Sequence, residues 1–428
     1  MRTFAILTLG CKVNAFESEW YIQQLENQGL QQVDFKECAD VYIINTCAVT
    51  NVAEAKSRQK IHAAIKRNQD AVICVVGCYV QAVYNENNEI KADIVIGTAG
   101  KKKLPELILN YSKTSRKTIE GSKNLEGIFI DDMILKQFNQ HRAYLKIQDG
   151  CNQYCSYCII PFVRGKERSL EIDKVIENAK NLATEHKELV LTGIHTGRYY
   201  DGNNDLTTLL RTVLKEVPKL ERLRISSIEI TEITDDMIDL LRNEPKIAKH
   251  LHIPLQAGSD EVLRLMNRPY TKEFFRNRIA YIKEMCPNIS ISTDVIVGFP
   301  GETDALFEET ENFIKETGFS FLHVFPFSKK RGTVAEKSAM QISSEHKKKR
   351  VQSLTILSKN MYNVFKQSLI NNQVEVFFES FSNNILRGYC SEYVSIYVRS
   401  NKDLTNKMVK VLVTHFEDGE LWGEIKGD

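Results

Sequence analysis

The chain has 428 residues, of which 43% are apolar and 26% charged, with a formal net charge of +2. This composition is that of a globular protein with several cores, about three domains by the usual length prior, and a charge this small neither demands nor excludes nucleic acid. The opening MRTFAILTLGCK holds too short an apolar run for a signal peptide, and the best candidate span, AVICVVGCYV at 71–80, is about half the length a membrane helix needs, so the ten cysteines are expected in a reducing cytosol, where clustered thiols bind metal or react.

From residue 3 to about 110, short apolar runs alternate with longer amphipathic ones. TFAILTL (3–9), VYIINT (41–46), AVICVVG (71–77) and DIVIG (93–97) read as buried strands, while 16–28 and 51–69 read as helices. The alternation predicts a small α/β unit with a parallel sheet. Cys11, Cys47 and Cys78 each fall just after one of the first three strands. The carboxyl ends of parallel strands share one edge, where ligands collect, so three thiols far apart in sequence are expected to meet in space; the bland alternative is three core thiols. Cys74 lies in the third strand, roughly 13 Å from Cys78 at the rise of an extended chain, and Cys38 precedes its strand. Both are read as buried small apolar side chains. Residues 111–140 carry no strong period and read as a linker with some local strand.

A second, larger alternation begins at 142. Strand YLKIQDG (144–150) runs into GCNQYCSYCIIP, which carries Cys151, Cys155 and Cys158 with no fourth cysteine or histidine nearby. A structural zinc site is normally closed by four protein ligands, whereas a four-iron cluster held by three thiolates keeps one iron open for a small molecule. Strands at 188–194, 222–228, 250–255, 290–299 and 321–327, with helices at 170–186, 205–216, 234–243, within 259–286 and at 303–318, complete the series. Six strands with intervening helices predict a partial (β/α)6 barrel with its chemistry at the strand carboxyl ends. Gly193, Ser226, Ser227, Glu229, Gln256 and Asp294 lie at or near those ends and are candidate cofactor contacts, although each singly also suits a cap or turn. His195, His250 and His252 lack a metal-binding spacing and are left as structural or substrate-facing.

Residues 344–370 read as a helix with a basic start, followed by five short β-runs that predict a small C-terminal β-barrel. Arg387, Tyr389, Tyr393, Tyr397, Arg399 and Lys410 would supply it with a basic, aromatic face of the kind that binds nucleic acid, though packing alone also produces such alternation. The basic runs Lys101–Lys103, Lys329–Arg331 and Lys347–Arg350 suit phosphates or plain solvated surface. The expected division is 1–115, an N-terminal parallel α/β domain; 116–140, a linker; 141–370, the partial barrel with its trailing helix; and 371–428, the small β-barrel.

DGCNQYCSYCIIPFVRGKERS, LGCKVNAFESE around Cys11, INTCAVTNVA around Cys47 and GCYVQ around Cys78 together resemble the methylthiotransferase branch of the radical S-adenosylmethionine (SAM) enzymes. LTGIHTG, RISSIE, HIPLQAGSD, TDVIVGFPGET and HVFPFSKKRGT match that branch in order, so the resemblance covers essentially the whole chain. Within it, LGCKVN followed by Glu-Ser-Glu is similar to the group acting on threonylcarbamoyladenosine in tRNA, and the last region is similar to a TRAM domain with a diluted basic and glycine pattern.

The resemblance implies two four-iron, four-sulfur clusters, one on Cys151, Cys155 and Cys158 that binds and cleaves SAM, the other on Cys11, Cys47 and Cys78 that carries the sulfur. It implies an adenine C2 radical as the acceptor, with Gly193, Ser227, Glu229, Gln256 and Asp294 near the cofactor and Arg164 positioning the second cluster or the substrate. The partners implied are a tRNA anticodon loop and an electron donor such as flavodoxin or ferredoxin, in the cytoplasm. Isopentenyladenosine in tRNA and a ribosomal protein aspartate are alternative substrates; a non-catalytic zinc-and-RNA-binding protein is the alternative of a different class.

Overall fold

The computed structural model describes every residue except 87, 113–117, 121–124, 128–129 and 426–428, so part of the expected linker lies outside the described residues. The first sheet has six strands: β1 (Thr3–Thr8), β2 (Gln31–Gln32), β3 (Val41–Thr46), β4 (Val72–Gly77), β5 (Ile94–Ile96) and β6 (Thr118–Glu120). They run parallel in the order β2-β1-β3-β4-β5-β6. VYIINT and VICVVG are buried along their whole lengths, as continuous apolar strands covered on both faces must be. The order places the three cysteine-bearing strand ends side by side.

Among the strands of the second unit, β7 (Ala143–Lys146) precedes the short antiparallel pair β8 (Gln148–Asp149) and β9 (Arg168–Ser169). Then come β10 (Glu188–Thr192), β11 (Arg222–Ile225), β12 (His250–His252), β13 (Ser290–Val297) and β14 (Phe321–Pro326). Parallel pairing gives β7-β10-β11 and β12-β13-β14, joined by the bridges Leu223 to Ile247 and Ser227 to His252. The result is an open six-stranded barrel wall, in which β7 and β14 are not paired to each other. The helix Lys12–Asn27 of the first unit shares one apolar core with it, Phe16, Tyr21 and Leu25 packing in the same cluster as Leu145, Leu189 and Ile291.

The last five strands, β15 (Gln373–Ser382), β16 (Ile385–Cys390), β17 (Ser395–Arg399), β18 (Met408–Glu417) and β19 (Glu420–Ile425), close into a barrel in the order β15-β16-β17-β19-β18. Closure removes the exposed edges that short strands would otherwise present. Val376, Phe378, Leu386, Ile396, Val398, Val411, Val413 and Leu421 fill it. It is fastened to the larger barrel by arginines: Arg222 reaches the Glu375 and Tyr389 carbonyls, and Arg224 those of Cys390 and Ser391. The helix Ser344–Ser368, capped by Ser343, lies along β14, where the Ser358 hydroxyl pairs with both backbone groups of Leu322.

Two sequence expectations are corrected and a third is met. Cys38 is exposed rather than buried, because it sits in the irregular stretch before β3. The third strand stops at Gly77 as expected, its φ of +110° turning the chain so that Cys78 opens the helix Cys78–Asn85. The basic runs are not purely solvated: Lys101, Lys330 and Arg350 are buried and pair with Glu17, Glu54 and Glu302. Among the described residues no helix is long and apolar enough to cross a membrane.

Candidate functional site

Cys11, Cys47 and Cys78 follow β1, β3 and β4, which are adjacent in the sheet, and so reach one edge together. Glycines make room for them. A Cβ on Gly10 (φ +102°) would lie 2.9 Å from the Cys47 Cβ, and one on Gly77 would lie 2.7 Å from the Thr46 carbonyl oxygen. Asn14 ties the edge together, its amide donating to the Leu9 and Thr46 carbonyls at 2.7 and 3.0 Å. Burial pushes the Cys47 thiol up to about 11, with the nearby Cys78 and Cys11 sulfurs adding to the effect.

Arg164 supplies the fixed positive charge at this edge. It is fully buried, donates from Nε to Cys78 Sγ at 3.1 Å and from Nη2 to Asn14 Oδ1 at 2.6 Å. Its Nη1 lies 2.9 Å from Asp149 Oδ1 and 3.6 Å from Glu17 Oε1. Glu17 also pairs with Lys101 at 2.7 Å and Lys146 at 2.9 Å, and Lys146 with Asp149 at 3.0 Å. Burial alone would raise the Glu17 carboxyl, but Lys101, Lys146 and Arg164 override it and hold it at about 2. Glu17 and Asp149 thus face the buried Lys101, Lys146 and Arg164, with Arg168 also on Asp149 at 3.3 Å, and Arg164 carries this network to the Cys78 sulfur.

The second triad is local. Gly150 (φ +76°) ends β8 so close to the returning chain that a Cβ would sit 2.0 Å from the Lys166 carbonyl oxygen. The loop is pinned by Ser156, whose amide and hydroxyl donate to the Met266 and Leu265 carbonyls, and by the Cys158 amide on the Cys155 carbonyl at 2.9 Å. Burial pushes the Cys158 thiol up to about 12, with Cys155 and Cys151 contributing. Here too a buried arginine meets a sulfur: Arg268 Nη1 is 3.3 Å from Cys155 Sγ, and its other arm pairs with Glu229. His195 Nδ1 lies 3.3 Å from Cys151 Sγ, while its Nε2 is held by Glu232 at 2.7 Å. Cys151, Glu167 and His195 form a tight group that does not include Cys155 or Cys158, so His195 stands beside one sulfur rather than completing a cage of four. The donor sets of both triads fit iron–sulfur clusters that leave a position open.

A cavity of about 360 Å³ lies inside the barrel wall, lined among others by Lys12, Arg142, Tyr144, Arg224, Ser226, Ser227, His250, His252, Asp294, His323 and Tyr393. Ser226, Ser227 and Asp294 of the expected contacts are there. Gly193, Glu229 and Gln256 are not among its lining residues: Gly193 packs on Gln148, Glu229 serves Arg268, and Gln256 takes a φ of +67° to bridge to Val295. His252 Nε2 is 3.2 Å from Asp294 Oδ1, and His250 is buried and stacked between Phe321 and Tyr393. Tyr393 lines the cavity and stacks on Tyr389, with Arg142 over both rings. The exposed face of the small barrel keeps Arg387, Tyr397 and Arg399, together with Trp422 and His415, which stack on one another.

Sequence reasoning missed Arg268, Glu167, Glu232 and Lys12. None lies in a metal-ligand spacing; Lys12 alone carried a signal, being next to a predicted cluster cysteine.

An open parallel barrel with three cysteines on the loop after its first strand defines the radical SAM class, and residues 145–314 match the Radical SAM superfamily. Residues 3–97 match the uncharacterized protein family UPF0004. Among solved structures, the radical SAM methyltransferase TsrM from Kitasatospora setae shares the fold with a TM-score of 0.55 at 15% identity, covering 76% of this chain and 75% of that one. Such a fold carries SAM and a four-iron, four-sulfur cluster. Threonylcarbamoyladenosine tRNA methylthiotransferase MtaB of Bacillus subtilis is 42% identical over 96% of this chain and 94% of its own length. The tRNA-2-methylthio-N(6)-dimethylallyladenosine synthase of Acetivibrio thermocellus is 32% identical over 99% and 91%. The chain belongs to the radical SAM methylthiotransferase family.

Proposed function

We propose that this chain is a tRNA methylthiotransferase that converts N6-threonylcarbamoyladenosine next to the anticodon to its 2-methylthio derivative. The observation that carries the reading is the spatial link between two cysteine triads: Arg164, which follows the Cys151–Cys158 loop in the chain, donates to Cys78 of the other triad. A relative 42% identical over nearly its whole length bears this activity in its name.

Cys151, Cys155 and Cys158 would hold the cluster that the family requires, and Cys11, Cys47 and Cys78 would hold a second. Together with SAM these groups supply one-electron chemistry able to break the C2–H bond of adenine and deliver sulfur there, which no side-chain acid or base can do. The chain's own residues hold and orient. Arg268 and His195 fix Cys155 and Cys151, and Arg164 and Asn14 fix the edge bearing Cys78 and Cys11. Gly193, Ser227, Glu229, Gln256 and Asp294 remain the proposed cofactor contacts, Glu229 acting through Arg268. The target base would leave the anticodon-loop stack, which is cheaper than leaving a duplex, and enter the cavity. Arg387, Tyr397, Arg399 and Trp422 would grip the RNA, the small barrel serving as a TRAM-like domain. Flavodoxin or ferredoxin would donate the electrons.

The test is nucleoside analysis of tRNA from cells lacking this chain. Loss of 2-methylthio-N6-threonylcarbamoyladenosine, with the unmethylthiolated nucleoside accumulating, is the expected result. Loss of the isopentenyl derivative instead, or of a modified ribosomal aspartate, would overturn it.

A further inference from the structure

We propose that Lys12 is the residue that reads the threonylcarbamoyl group, by pairing its ammonium with the carboxylate on that substituent. The inference rests on the substrate proposed above and adds the residue that selects it.

Lys12 opens the helix Lys12–Asn27 immediately after Cys11 and lines the barrel cavity. Three cations line that cavity, and two are already committed. Arg142 Nε pairs with Glu379 at 2.6 Å, and Arg224 pairs with Glu188 at 2.8 Å and with the Cys390 and Ser391 carbonyls. Among the described residues the Lys12 ammonium makes no hydrogen bond and no ion pair, although it is solvent-accessible beside the aromatic and imidazole groups of Tyr393, His250 and His323. The carboxylate of the cavity, Asp294, is taken by His252. An accessible ammonium that lines the cavity beside two committed arginines, with no counter-ion of its own, is free to pair with an anion carried by a ligand.

Adenosine itself and its dimethylallyl derivative are neutral at N6, whereas threonylcarbamoyladenosine brings a carboxylate. A neutral or hydrocarbon substituent would leave the ammonium unpaired, so one residue both favours the anionic base and disfavours the apolar one. Its place next to Cys11 puts recognition of the N6 substituent beside the proposed sulfur-delivering triad.

The experiment compares binding of two tRNAs, identical except for the threonylcarbamoyl group, to reconstituted holoenzyme. The wild-type chain is expected to bind the modified tRNA about tenfold or more tightly than the unmodified one, the size of a hydrogen bond to a charged group. K12Q should bring that ratio close to one and K12R should restore most of it. For methylthiolation, K12Q should raise KM more than it lowers kcat. The ratio is taken within each variant, so a loss common to both tRNAs, including one from disturbance at Cys11, cancels. A ratio in K12Q equal to wild type would overturn the assignment. A wild-type enzyme that methylthiolates other adenosines and not this one would instead overturn the substrate reading beneath it.

Discussion

The two cysteine triads reach comparable chemistry by opposite routes. Cys151, Cys155 and Cys158 lie within eight residues on one loop, whose shape is set by Gly150 and by Ser156 bonding to the chain at Leu265 and Met266. Cys11, Cys47 and Cys78 come from three strand ends and meet only because β1, β3 and β4 are neighbours in a parallel sheet. Each triad is served by one buried arginine on a sulfur, Arg268 at 3.3 Å and Arg164 at 3.1 Å. The local site has its arginine neutralised by one carboxylate, Glu229, whereas the assembled site needs the network of Glu17, Asp149, Lys101 and Lys146. A site assembled from distant strands is stabilised by the charges that join its parts, so it should be the more fragile of the two.

Alanine at Cys151, Cys155 or Cys158 carries the largest expected effect, abolishing formation of 5′-deoxyadenosine from SAM with a strong reductant. Alanine at Cys11, Cys47 or Cys78 should leave that cleavage measurable and abolish methylthiolation, and an equal loss of both activities in the two sets would erase the distinction. Next comes Glu17→Gln, which leaves buried cations without their partner and should cost about 3–5 kcal/mol of stability. Denaturant unfolding would read this, and the variant should lose iron from the Cys11 triad before the other. Arg268→Lys keeps one charge but loses the fork that reaches both Cys155 and Glu229, so it should cost about 1–3 kcal/mol of stability and weaken SAM cleavage measurably.

Glu19 offers a pH test outside either triad. It is buried, and burial raises its carboxyl to about 7 despite the Asn139 amide. A carboxyl raised in the folded state favours the protonated form, so its contribution is largest below the unfolded value near 4.5 and is lost as pH rises towards 7. Glu19→Gln should therefore stabilise the protein by about 1–3 kcal/mol at pH 8 and change little at pH 4; equal effects at both pH values would contradict this. The smallest effect is expected at Arg387 and Arg399 in the small barrel. Alanine at either should weaken tRNA binding a few-fold and lower the salt slope by about one.

Much of this was legible in the sequence because it rested on periodicity and on spacing. VYIINT and AVICVVG announce buried parallel strands, and cysteines placed after them must share an edge. The Cys151 loop is visible from its spacing alone. What escaped depends on pairing across the fold. Arg268 finds Cys155 across 113 residues of chain and Glu229 across 39. Lys101 read as part of a solvated run, but Glu17 draws it inside. Tyr393 read as one of several aromatic strand residues, and only the docking of the small barrel against Arg142, Arg224 and His250 turns it into a wall of the cavity.

The central claim, that two separate triads each hold their own cluster, is tested most directly by counting iron and acid-labile sulfide in anaerobically reconstituted protein. Wild type should hold about eight of each, as two four-iron clusters require, and the triple variant Cys11→Ala, Cys47→Ala, Cys78→Ala should hold about half, with SAM cleavage retained. A triple variant that keeps the full complement, or a wild type that holds only four irons, would contradict it.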